Sequence, residues 1–87
     1  MISLKVTIGA SATQTTTLDL YASVLILKAS GTDYMGGPGV TSSTGVPVSS
    51  TTPMIISCAA PHGMSLKNLY FVGTQNDTIV IAYEPSA

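Results

Sequence analysis

Besides three lysines, this 87-residue chain offers one histidine, one cysteine and four acids for acid–base, nucleophilic or metal chemistry. His62 is the only residue around which a Ser–His–Asp triad could form, with a nucleophile and an orienting acid in reach. It sits in Pro61-His62-Gly63, a turn signature, and reads as a solvated turn histidine. Cys58 follows Ile56 and precedes Ala59, the setting of a free cysteine buried as a small hydrophobe. Cys58 and His62 are close enough in sequence to pair, but no orienting group accompanies them. Carboxylate catalysis needs two convergent acids. Asp19, Asp33, Asp77 and Glu84 are scattered, and three of them look like turn or strand-end residues. One histidine and one cysteine do not make up the three or four ligands of a transition-metal site. A hard-cation site made of carbonyls from a glycine-rich loop stays open. The chain is expected to be no enzyme and to hold no cofactor, with no catalytic residue and no metal ligand among its side chains.

Two short motifs invite further chemistry. Gly36-Gly37-Pro38-Gly39 has the glycines of a phosphate loop, but no lysine lies between Lys28 and Lys67 to complete one. The dinucleotide-binding pattern would need a third glycine and a following helix, and both are missing. A tight structural loop is the reading. Asn76-Asp77-Thr78 matches the N-glycosylation triplet and equally an ordinary hairpin turn. Met1–Ile8 alternates instead of forming a continuous apolar segment, so no signal peptide is expected to take the chain to the glycosylation machinery.

The elements that would carry these residues are strands. Ile2, Leu4, Val6 and Ile8 face one way, and Ser3, Lys5 and Thr7 face the other, the period of a half-buried strand. Residues 9–14 read as a loop, and Thr15–Leu20 as a second strand. Tyr21-Ala22-Ser23 reads as a bend before the strand Val24–Ala29. Residues 33–52 form an irregular middle, with short strand pieces near Tyr34-Met35 and Val46–Val48. Its glycines permit positive φ and its prolines fix φ. Met54–Ala59, Leu69–Val72 and Thr78–Tyr83 are further strands, and Gln75-Asn76-Asp77 reads as a hairpin turn. No stretch shows a helical period. About seven or eight short strands at regular spacing predict one all-β domain over residues 1–87, a small antiparallel sandwich or barrel.

Composition narrows the class. Charged residues make up 8% of the chain, arginine is absent and the net charge is −1. Backbone binding to nucleic acid needs a basic patch, which this chain lacks. Apolar runs such as Val24–Leu27 are far short of the ~20 residues of a membrane-spanning helix. One cysteine forms no internal disulfide. A soluble monomer normally relies on a charged surface. Here either the hydroxyls of 11 Ser and 12 Thr take that role, or partner chains cover the surface. The strands favour partners. Val24–Leu27, Met54–Ile56, Leu69–Val72 and Ile79–Ala82 are apolar on both faces, whereas a sandwich strand wetted on one face should alternate.

Two stretches together carry a resemblance. Val24–Ala29 is followed by Tyr34-Met35-Gly36-Gly37-Pro38-Gly39-Val40-Thr41-Ser42-Ser43-Thr44-Gly45-Val46-Pro47-Val48. Then Leu66-Lys67-Asn68-Leu69-Tyr70-Phe71-Val72-Gly73 precedes Asp77–Glu84. Across roughly residues 24–85 this order resembles small virion proteins of tailed bacteriophages. One departure is that the Ser49–Pro53 turn lacks the Gly-Glu pair of that pattern. The resemblance implies a jelly-roll-like β-sandwich that serves as a capsid decoration, or cement, protein. Such a protein would be made in the host cytoplasm and sit on the capsid surface, as a homotrimer bound to the major capsid protein. A tail, baseplate or head-fibre component is the alternative, and a small carbohydrate-binding module a more distant one. The expected partner contacts are Ile2, Leu4, Val6 and Ile8, whose strand could add to a neighbour's sheet edge, and Gly36, Gly37, Pro38, Gly39 and Val40, where a glycine-rich loop permits close backbone approach.

Overall fold

The alternating segment Ile2–Thr7 forms strand β1, and the β-branched segment Thr78–Pro85 forms β9 beside it, antiparallel, with Leu4 opposite Ile81 and Val6 opposite Ile79. The computed structural model describes residues 1–57 and 63–85. Tyr21–Ala29 is β3, which pairs on one side with β9 and on the other with β6, Met54–Ser57. The two-residue strand β7, Met64–Ser65, continues the β6 edge along the start of β3. The first sheet therefore runs β1-β9-β3-β6. A second antiparallel sheet contains β2 (Thr13–Gln14), β8 (Tyr70–Gly73), β4 (Asp33–Gly36) and β5 (Val46–Val48), in the order β2-β8-β4-β5. A 3-10 turn, Leu66–Asn68, leads into β8. The all-β sandwich expected from the strand rhythm is what forms, with no α-helix among the described residues.

The pairing is nested. β1 pairs with β9, β2 with β8, β3 with β6, and β4 with β5. One long antiparallel hairpin rolled up so that its arms alternate between two layers gives this order. The two layers enclose Leu25, Leu27, Leu66, Phe71, Ile79 and Ile81, all fully buried, and burial of each such side chain contributes ~1.5–3 kcal/mol.

Three local expectations are corrected. Thr15–Leu20 is not a strand. The short β2 lies before it, and Thr15 is tied to β8 through its N–H and hydroxyl, both donated to the Leu69 carbonyl at 2.9 and 2.7 Å. The bend expected at Tyr21-Ala22-Ser23 is a bulge inside β3. Ala22 stands opposite Pro85 and Val24 opposite Glu84, so β3 carries one extra residue there. That extra residue turns Ala22 inward with Leu25, although they are three positions apart. Residues 75–77 do not close a hairpin. β8 and β9 lie in different sheets, and this turn crosses between them with Asn76 at φ 76°.

Candidate interaction surfaces

The outer face of the first sheet is apolar in its middle. Register sets Ser3, Ala82, Ile26 and Ile55 in one row across β1, β9, β3 and β6. The next row holds Lys5, Val80 and Lys28, and Val24 and Glu84 stand beside each other on the opposite flank. Ile55 is 68% exposed and Val80 53%, while Val24, Ile26 and Ala82 are half-buried. This is the unpaired apolar side of β3, β6 and β9 that their lack of alternation predicted. Lys5 and Lys28 border it, and Glu84 lies 3.6 Å from the Met1 amino group.

β1 is an end strand of its sheet, and among the described residues nothing pairs with its outer edge. Its side chains are less available than expected. Val6 and Ile8 are 5% and 1% exposed because they face the core opposite Ile79 and its neighbours, so they are not surface contacts. Leu4 is half-buried, and Ile2 alone of the four is open, at 45%. What β1 offers a partner is a backbone edge and Ile2.

The glycine-rich loop is corrected in the same sense. Val40 is 7% exposed and packs down onto β4. A Cβ on Gly36 would come within 2.6 Å of Val40 Cγ2, and one on Gly45 within 3.0 Å of the same atom. These two glycines make room for a side chain of their own loop, not for a partner's backbone. Gly37, Pro38 and Gly39 remain exposed, with open space where a Cβ would stand on either glycine. Gly39 takes φ +79°, which a side chain would strain. Thr41 N–H donates to Thr44 Oγ1 at 3.0 Å, and Gly45 N–H to the Thr41 carbonyl at 2.8 Å, so the loop is internally tied.

Beneath the loop, on the outer side of the second sheet, lies an open groove of about 550 Å³. Tyr34 and Val72 face each other across β4 and β8 there, and hydroxyls of Thr32, Thr41 and Ser42 line the walls. Among the described residues no charged side chain lines it.

The acids are less scattered than the sequence implies. Asp33 and Asp77 come together where two sheet-crossing turns meet. Asp33 is wholly buried, and its pKa is pushed up to about 6, first by burial and then by the Asp77 carboxyl beside it. Backbone N–H donors at Thr74 and Gly31 oppose that rise in part. Asp19 pairs with Lys67 at 3.3 Å on the exposed surface, which contributes at most ~1 kcal/mol. Among the described residues no three His, Cys, Asp or Glu side chains gather into a metal cluster. Cys58 and His62 lie outside the described residues. The inward position of Asp33 was open to sequence reading, because alternation through Tyr34 puts it on the same face as Met35. Comparison with family models, curated proteins and solved structures finds no match to this chain.

Proposed function

We propose that this protein is a capsid decoration protein of a tailed bacteriophage, a jelly-roll β-sandwich that binds the outside of the assembled head and stabilises it, assembling as a homotrimer. The observation that carries the reading is the apolar outer face of the first sheet on a chain with few charges. Scattered exposed hydrophobes are ordinary, but a contiguous apolar sheet face marks an interaction surface. Burying Ile55, Val80 and Ile26 against another subunit would contribute ~1.5–3 kcal/mol for each side chain fully covered. The nested pairing of β1 with β9, β2 with β8, β3 with β6 and β4 with β5 supports the jelly-roll reading, a fold that viral capsid domains use. Fold alone does not name a function, and that support is by analogy. The resemblance of residues 24–85 to phage virion proteins supplies the particle.

Attachment through apolar contact and backbone pairing should resist salt, because screening acts on charges. Wild-type protein is therefore expected to co-sediment with undecorated heads equally at low salt and at ~1 M, where the screening length is ~3 Å. The double variant Ile55→Lys, Val80→Lys changes exposed positions only. It is expected to fold, to lose self-association, and to bind heads at least ~10-fold more weakly. Binding lost in high salt, or a double variant that still self-associates, would remove the apolar surface from the account. Binding to tails alone would give the protein to the tail or baseplate.

One feature favours a second reading, a small carbohydrate-binding module. The uncharged groove, lined by Tyr34 and five Ser or Thr residues, has the lining of a site for a neutral sugar. A glycan array that lights up with wild type and goes dark with Tyr34→Ala would favour it over capsid binding.

A further inference from the structure

We propose that Asp33 and Asp77 share a proton and thereby clamp together the two crossover turns that join the sheets, so that the fold is tightest in acid and loosens towards neutral pH. Asp33 opens β4 directly after the turn from β3, and Asp77 ends the turn from β8 to β9. Both turns pass between the layers at the same end of the sandwich. They are already stitched by hydrogen bonds. Ser30 N–H donates to the Thr78 carbonyl at 2.9 Å, and Thr78 N–H donates to Ser30 Oγ at 2.9 Å. The loop after β1 joins them, with Ile8 N–H donating to the Asp77 carbonyl at 2.8 Å and Asn76 N–H to the Ile8 carbonyl at 2.8 Å. Three connections of the chain therefore meet at this carboxyl pair.

The side chains state the need for a proton. Asp33 Oδ1 accepts from Thr74 N–H at 3.2 Å and Gly31 N–H also bears on the carboxyl, but among the described residues buried Oδ2 makes no hydrogen bond. What Asp33 faces is a second carboxyl, that of Asp77. Two carboxylates set against each other cannot both ionise cheaply, and an acceptor facing an acceptor makes no bond. One proton on Asp33 Oδ2 resolves both problems, because the O–H then donates to Asp77. No cation does this work. Among the described residues neither acid is in an ion pair, and Asp77 is the one charged group that bears on Asp33. The neighbouring glycines fit the same account. A Cβ on Gly73 would stand 2.0 Å from Asp33 Oδ1, and one on Gly31 would stand 2.6 Å from Asp77 Oδ2.

The sign follows from linkage. An acid whose carboxyl holds its proton more tightly folded than unfolded adds stability that is complete below the unfolded pKa, near 4. That contribution fades as pH rises to about 6, the folded value, and is gone above it. The unfolding equilibrium constant of wild type is expected to rise ~100-fold between pH 4 and pH 8 from this pair. Asp33→Asn supplies an N–H donor to Asp77 at every pH, so its stability should be flat over that range and should exceed wild type at pH 8. Urea unfolding at stepped pH, in the presence of a chelator, reads both. Equal pH slopes for wild type and Asp33→Asn would overturn the proposal. Carboxyl ¹³C titration of folded wild type gives an answer even if the variant fails to fold. An Asp33 resonance that moves near pH 6 supports the clamp, and one that moves near pH 4 overturns it. Calcium at pH 8, if it restored the acid-state stability, would replace the shared proton with a bound cation and overturn it too. None of these readouts depends on the capsid, so the clamp and the decoration reading stand or fall separately.

Discussion

Phe71→Ala is expected to cost the fold ~3–5 kcal/mol, the range for a large aromatic removed from a packed core. Phe71 has no exposed surface and is among the largest wholly buried side chains of the domain. It stands in β8 with Thr13 of β2 on one side and Met35 of β4 on the other, facing the layer that holds Leu25, Leu27 and Ile81. Removal takes away the transfer energy of the ring and leaves a cavity that two sheets tied by short crossings cannot close. A domain of this size has ~4–13 kcal/mol of stability in all. The variant should therefore melt more than ~10 °C below wild type, since one kcal/mol shifts a domain of this size by ~4–8 °C. The urea slope should stay the same, because the folded shape does not change. A loss under ~1 kcal/mol would mean that Phe71 is not the centre of the sandwich.

Why the strand that carries Phe71 could be picked from the sequence, and the meeting of Asp33 with Asp77 could not, comes down to which physical signals are local. Apolar content and β-branching mark β3, β6, β8 and β9 residue by residue, and so do the glycines and prolines around β4 and β5. Alternation also says that Ile2 and Val6 share a face. It does not say how deep each position lies along that face. Ile2 at the sheet's end is open while Val6 is buried, and only the nested pairing decides that. The same limit explains residues 74–77. A turn made of Thr, Gln, Asn and Asp serves a hairpin or a crossing equally well, because turn chemistry encodes a reversal of direction and not the sheet to which the chain returns. β2 and β7, of two residues each, leave no periodic trace. Asp33 and Asp77 are 44 positions apart (77 minus 33), and their meeting follows from two crossings at once. The apolar outer face was legible in kind, from strands that do not alternate. Its composition was not, since Ile26, Ile55, Val80 and Ala82 share a patch only through the register of three strands.

Gly63→Ala should be nearly as damaging as Phe71→Ala, although it adds a single methyl group. Gly63 sits in the left-handed region at φ +70°, where an L side chain is strained by ~1–3 kcal/mol. Space makes it worse. A Cβ on Gly63 would stand 2.2 Å from the Ala22 carbonyl oxygen and 2.8 Å from its carbon. Both are backbone atoms of the bulge in β3, so no side-chain rotation relieves the clash. Relief requires that β7 leave Ala22 or that the bulge reshape, and either change uncovers Ala22, which is wholly buried beside the core. A loss of at least ~2 kcal/mol is expected from strain and clash together. Gly37→Ala is the control, since its Cβ would meet nothing within 4 Å and its φ is not positive. It should lie within ~0.5 kcal/mol of wild type, as surface substitutions do. The pair separates a general intolerance of lost glycine from the specific approach of Gly63 to the β3 bulge. Equal, small losses in both variants would show that the backbone near Ala22 yields. A large loss confined to Gly63→Ala would show that the bulge is held rigid by its contact with β7.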